Sequence, residues 1–227
     1  MSLDTAIRLT EILLGFAFIQ QSLEHLFSFT SERRLFLARI ILSIFLIIGL
    51  QTVWVSWLLL LLALAILQHF QGPYNGGADR MSLLILFCLC LAKSSTTLRW
   101  QELAFGYLAL QLTLSYFISG AVKVINSDWR SGRALQDVFQ FSTYPVNEQL
   151  RAWSKSPRML FFMSWGVIFF ELFFPFTLIN STSLTIALFI AAIFHLLNVF
   201  LFGLNRFFWI WITAYPAILW FQQRIFL

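Results

Sequence analysis

Long apolar runs separated by thin polar breaks dominate this chain, and they limit what it can fold into. A helix needs about 20 mainly apolar residues to cross the hydrocarbon core of a bilayer. Inside that core every backbone polar group must be bonded within the protein, so helices are the natural solution. Runs of this kind occupy about 5–27, 33–50, 52–70, 80–95, 101–125, 158–178, 183–203 and 206–223. The first is weak, since it carries Arg8, Glu11, Gln20, Gln21, Glu24 and His25, and the run at 80–95 is short. The expectation is an all-α, polytopic helical membrane bundle of about eight spans, six to eight if the two weakest only dip into the bilayer. It forms a single membrane domain over 1–227, with no soluble domain left over and no internal repeat.

Composition closes off the alternatives. Of the 227 residues, 59% are hydrophobic and 11% charged, against about 25% charged in ordinary soluble domains. A soluble domain of this size must wet its own outside and could not hide so much apolar surface. A disordered chain, a disulfide-rich scaffold and an ordinary cytosolic enzyme are therefore excluded. The net charge is +5, but the 15 cations are scattered, most of them between apolar runs, rather than clustered on one wetted face. That pattern predicts membrane lipids, not nucleic acid, as partners. Cys88 and Cys90 stand two apart in an apolar run, pointing about 200° away from each other on a helix, and read as buried core thiols. The stretch Ile12 to Ile19, with Asp4 and Glu11 nearby, does not resemble a cleavable signal, so Met1 onward is expected to be retained.

Punctuation supports these edges. The stretch from Gln71 to Gly77 is rich in turn formers. Ser156-Pro157 offers a cap with proline at the first helical position; Asn205 is a candidate cap for the last helix, and Thr30 or Ser31 for the second. The long connection 126–158 interleaves Asp128, Trp129, Arg130, Arg133, Asp137, Glu148, Arg151, Lys155 and Arg158 with Leu135, Val138, Phe139, Phe141, Tyr144 and Trp153. This mixture suits an interfacial segment in the headgroup zone. Arg33, Arg34, Arg39, Arg80, Arg130, Arg133, Arg151, Lys155, Arg158 and Arg206 fall on one side of an eight-span bundle; Arg8, Lys93, Arg99 and Arg224 fall on the other. Basic loops stay inside, which places the long connection in the cytoplasm and both termini outside.

Ionisable groups within spans cost about 2.5–3.5 kcal/mol or more at mid-helix, so each needs a reason. Lys123 ends the fifth run, with Gly120 on the same face, where a missing side chain admits a helix or a ligand. Either desolvation makes it a general base or it snorkels to the headgroups. Glu171 lies in the otherwise apolar stretch Trp165 to Leu178, with Lys123, Arg8 and His195 as possible partners; it is a structural ion pair or a functional carboxylate. His195 and Asn198 share a face of the seventh run. His25 and His69 sit near run ends, where they are cheap. Glu11 follows Arg8 by three, so local neutralisation explains both. No histidine–cysteine cluster with metal or haem spacing is legible.

At these residues a resemblance enters. Tyr116-Phe117-Ile118-Ser119-Gly120-Ala121-Val122-Lys123, followed by Asp128-Trp129 and Gly132, resembles a signature of the vitamin K-dependent gamma-carboxylase-like membrane domain. That domain belongs to the horizontally transferred transmembrane (HTTM) superfamily, which includes the sporulation-delaying protein B type. Asn75-Gly76-Gly77-Ala78-Asp79, Glu171-Leu172-Phe173-Phe174-Pro175-Phe176, and Phe194-His195-Leu196-Leu197-Asn198 with Leu201-Phe202-Gly203 are similar to three further family stretches in order. The resemblance implies that Lys123 corresponds to the lysine that acts as base on vitamin K hydroquinone. Gly77 and Ala78 stand where a second catalytic histidine belongs, so carboxylation of peptide glutamate is not expected.

Together these readings predict a multi-pass protein of the bacterial inner membrane with a buried polar pocket for a lipophilic molecule, quinone-like or lipid-like. Lys123 and His195 are the catalytic candidates. Glu171, Asn198, Tyr116, Gly120 and Trp129 are the binding candidates, a quinone is the candidate cofactor, and no metal is expected. The rival reading is a non-catalytic subunit or assembly factor of a larger membrane complex. Transport lacks the paired Gly/Pro-broken spans of an inverted repeat.

Overall fold

A computed structural model of the chain describes residues 1–28, 33–69, 76–141 and 148–226. The described residues contain no β-strand. The helices are α1 Leu3–Ser28, α2 Arg33–Ile48, α3 Thr52–His69, α4 Gly76–Ser94, α5 Leu98–Ile125, α6 Ser127–Arg130, α7 Arg133–Phe141, α8 Glu148–Arg151, α9 Pro157–Phe173, α10 Ser181–Phe202, α11 Asn205–Thr213 and α12 Tyr215–Phe226, with 3₁₀ turns at Ala152–Lys155 and Phe174–Ile179. Among the described residues, three stretches are long and apolar enough to cross a membrane: Leu98–Ile125, Pro157–Ile179 and Ser181–Phe202. Thr52–Gln68 is apolar but shorter. Many large side chains on these helices, Phe162, Phe189 and Phe200 among them, are exposed. Lipid chains accept such a surface and water does not; this is a membrane protein. The cap candidates Thr30 and Ser31, the turn residues 71–75, Tyr144 and the His69 side chain lie outside the described residues.

The chain divides into two compact units, residues 1–110 with 205–227, and residues 111–204. In the first, α1 packs along α2, α3 along α4, and α11 and α12 lie against α1. Ala6, Leu14, Ala17 and Phe18 of α1 are buried. Arg8 ties α1 to the end of α2: its guanidinium donates to the Leu46 carbonyl at 2.7 Å and to that of Ile47. Those carbonyls belong to the last turn of α2, where helix oxygens lack intrahelical donors and cations are favoured. Arg8 also meets Glu11 at 2.9 Å, and Lys93 approaches the other Glu11 oxygen at 3.3 Å. The neutralisation expected of Arg8 and Glu11 is present, with Lys93 as a third member. Cys88 and Cys90 are buried and unbridged.

The last apolar run is two helices, not one. Pro216 has no N–H to donate and disfavours helical geometry in the residue before it. The chain breaks at Ala214, with three-residue bonds from Ala214 N to the Trp211 carbonyl and from Ala217 N to that of Ala214. Pro175 similarly lies in the 3₁₀ turn that follows α9. Asn205 does not act as the expected cap; its amide donates to Glu24 Oε1 at 2.6 Å. Pro157 does open α9, but the Ser156 hydroxyl makes no capping bond.

In the second unit the connection 126–158 is largely helical. Asn126 caps α6, accepting from Asp128 N at 2.8 Å. Gly132 turns the chain from α6 into α7 with φ +81°, and a Cβ there would lie 2.8 Å from Phe161 N. Only glycine meets both demands, so the turn rests directly on the α9 backbone. Phe139 of α7 is fully buried between Trp153 and Phe202, while Arg133 and Asp137 stay exposed.

Candidate functional site

The second unit gathers most of the predicted site residues. Tyr116, Ser119, Gly120 and Lys123 recur at helical spacing on one face of α5. At Gly120 α9 comes close: a Cβ there would stand 2.8 Å from Leu172 N and 3.0 Å from Glu171 Cβ. This close approach brings Glu171 to Lys123. Lys123 Nζ donates to Glu171 Oε2 at 2.6 Å and Oε1 at 2.8 Å, and to Ser119 Oγ at 2.6 Å. Ser119 Oγ donates in turn to Glu171 Oε1 at 3.2 Å. The Lys123 side chain is 14% exposed and that of Glu171 5%. Nζ also stands 5.1 Å from the centre of the Trp129 ring, within cation–π range. Trp129 is held from behind, because its carbonyl accepts from Ser164 Oγ.

Lys123 therefore does not snorkel outward; it turns into the unit as one half of a closed pair. Among the three partners open to Glu171, packing selects Lys123. A carboxylate, an ammonium and a hydroxyl in mutual contact satisfy one another in an apolar setting, as buried charge requires. Chemically, the group presents an acceptor for an acidic O–H and a cation for the anion left behind.

One turn earlier on α5, Tyr116 OH and His195 Nε2 of α10 are 2.9 Å apart. Tyr116 lies close over Phe174, with ring centres 4.2 Å apart, and meets Phe170 edge-on. Asn198 is placed apart from these groups. It lines a cavity of about 310 Å³ whose other walls include Leu135, Phe139, Gly166, Phe170 and Phe194. Lys123, Glu171 and His195 are not in that lining. Phe170 belongs to both places, touching Tyr116 and facing the cavity. The spacing argument thus put His195 and Asn198 on one helix face, but their environments differ.

Sequence reasoning missed Ser119 as a partner of the pair, although it stands one turn before Lys123 on the same face. It also missed a second buried polar cluster, in the first unit. Arg39, read as a topogenic loop cation, is only 6% exposed. Its Nε donates to Ser22 Oγ at 2.7 Å, and its guanidinium lies 5.0 and 5.4 Å from the Phe18 and Phe36 ring centres. His25, taken as a cheap histidine at a run end, is buried, meets Arg206 and packs on Phe36. The available signal was the position of Arg39 inside Leu35 to Leu42, well past the start of its helix. Among the described residues no group of three or more His, Cys, Asp or Glu is placed to hold a metal ion.

No curated protein and no solved structure matches the chain. The model of the HTTM domain family matches residues 91–223, a stretch that holds the α5 face, the Glu171 helix and the His195 helix. That match covers more than half of the chain, and the protein belongs to the HTTM domain family.

Proposed function

We propose that the protein is a multi-pass protein of the bacterial inner membrane, with about eight spans and the 126–158 connection on the cytoplasmic side. In this reading it binds or modifies a lipophilic small molecule, quinone-like or lipid-like, beside Lys123. The observation that carries it is the Lys123–Glu171 pair with Ser119, built into two apolar helices of membrane-spanning length. Such groups are costly in a bilayer and mark functional positions there more often than structural ones. An ammonium held 2.6 Å from a carboxylate is an anion partner rather than a free amine base. A hydroxyl of quinol type would pass its proton towards Glu171 and leave its oxygen anion on Lys123 Nζ. Trp129 supplies a flat face beside Nζ, and Gly120 supplies the closeness of α5 and α9. Tyr116 and His195, 2.9 Å apart, would relay a proton in this reading; Asn198 would anchor a polar end in the apolar cavity. The ligand class, a quinone above all, follows from the family resemblance together with this chemistry.

The second reading, a non-catalytic subunit or assembly factor of a membrane complex, is favoured by one feature of α9. Phe161, Trp165, Phe169 and Phe173 form a continuous ring ladder at four-residue spacing, extended by Phe176, with Phe169, Phe173 and Phe176 exposed. Such a face suits a partner helix as well as lipid.

The deciding experiment is purification in mild detergent, solvent extraction and mass spectrometry of bound small molecules. The wild type is compared with Lys123→Met and with Lys123→Met/Glu171→Leu, which removes both charges and spares the fold an orphaned carboxylate. A stoichiometric quinone or lipid in the wild type, lost from a folded double variant, supports the pocket. Bulk lipid in all three, with other proteins co-purifying in fixed ratio, overturns it in favour of the subunit.

A further inference from the structure

The first unit holds a buried cation that its own residues leave incompletely answered. Arg39 Nε is bonded to Ser22, and two aromatic rings flank the guanidinium. Among the described residues, however, its two terminal nitrogens have no hydrogen-bond partner, and no carboxylate lies within ion-pair distance. A guanidinium more than nine-tenths buried and unmatched in this way is expensive. It lines a small cavity of about 20 Å³ together with His25, Asp79, Ser82 and Arg206 and with apolar residues of α3 and α4. Two guanidiniums line it against one carboxylate, and the Ser82 hydroxyl donates to the Asp79 backbone carbonyl at 2.9 Å.

We propose that this cavity is a binding site for a single monatomic anion of halide type. The lining offers guanidinium N–H donors from Arg39 and Arg206, which come from different helices, and a spherical anion accepts donors from more than one direction. The volume is that of about one water-sized particle, too small for a phosphate or sulfate group. A water molecule would fit the space and could bridge Arg39 to Asp79, but it brings no negative charge to a cavity that two guanidiniums line against that single carboxylate. Asp79, on the cavity wall, opposes the anion and holds its affinity down. The site lies in a different unit from the Lys123–Glu171 pair and does not depend on the function proposed for that pair.

The test is thermal unfolding of the purified full chain in detergent, followed by tryptophan fluorescence, with sodium chloride exchanged for sodium gluconate at constant ionic strength. A ligand that binds only the folded state raises the midpoint in proportion to the logarithm of its concentration above Kd. The expected result is a rise with chloride or bromide and none with phosphate or sulfate. Arg39→Gln should abolish the chloride-dependent rise. Asp79→Asn, which keeps the guanidinium and relieves the repulsion, should lower the chloride concentration for half effect by roughly fivefold, and keeps the test open should Arg39→Gln fail to fold. Identical midpoints in chloride and gluconate overturn the proposal and leave the cavity to water. A response to phosphate alone overturns it too, as does an Asp79→Asn variant with unchanged or weaker chloride response.

Discussion

The two units bury charge in opposite ways. In the second, the Lys123 ammonium meets both oxygens of Glu171 and a serine hydroxyl, so the charges on facing helices answer each other. In the first, Arg39 has one hydrogen bond, two aromatic faces and a cavity. Yet the first unit also closes a charge group of its own, at Arg8, Glu11 and Lys93. The difference between units is therefore local. A closed pair supports the packing of its helices and reacts only with a ligand that can join it, whereas an open guanidinium invites an anion from outside the chain.

This contrast can be broken most sharply at Glu171. Glu171→Leu strands the Lys123 ammonium, and the expected cost is about 3–5 kcal/mol, seen as a large drop in the unfolding midpoint in detergent. Lys123→Met/Glu171→Leu should recover most of it, because replacing a whole buried pair by apolar groups is often neutral. A double variant as unstable as the single would show that the pair is not the source of the loss.

Next in size is Glu11, fully buried between two cations. Glu11→Gln should cost about 2–3 kcal/mol and loosen the hold of Arg8 on the α2 carbonyls, read as faster amide exchange after Leu46. Gly120→Ala forces a Cβ to 2.8 Å from the Leu172 nitrogen, and the strain of overpacking is about 1–3 kcal/mol. Its sharper signature is loss of whatever ligand depends on Lys123, since α5 and α9 must part. Arg39→Gln in chloride-free buffer should cost under about 1 kcal/mol, because it removes an incompletely compensated charge. A loss as large as that of Glu171→Leu would make Arg39 a closed group like Lys123. At the small end, Glu148→Ala removes an exposed partner of Arg151 and should leave the midpoint unchanged.

The family and the helical framework are legible in the sequence. The α5 motif, the Glu171-to-Phe176 stretch and the His195 helix lie in the region matched by the HTTM family model, and helices occur in each of the eight apolar runs. Among the described residues, three stretches meet the length and hydropathy needed for crossing. The break at Ala214 was not read, although Pro216 signals it, because the hydropathy of the run is continuous through the proline. The difference between Arg39 and the true loop cations was invisible for a similar reason: a charge six residues into a helix reads the same whether it faces water or the interior.

The sequence by itself determined where helices form and which side chains are too polar for the setting, because run length, proline and charge act locally along the chain. Only the tertiary structure decided which polar group answers which. Glu171 had Lys123, Arg8 and His195 open to it; Arg8 went to Glu11 and the α2 carbonyls, His195 to Tyr116, and Lys123 to Glu171. Pairing depends on which helix faces meet, and that is set by close packing such as Gly120 against Leu172, a relation between residues far apart in the chain.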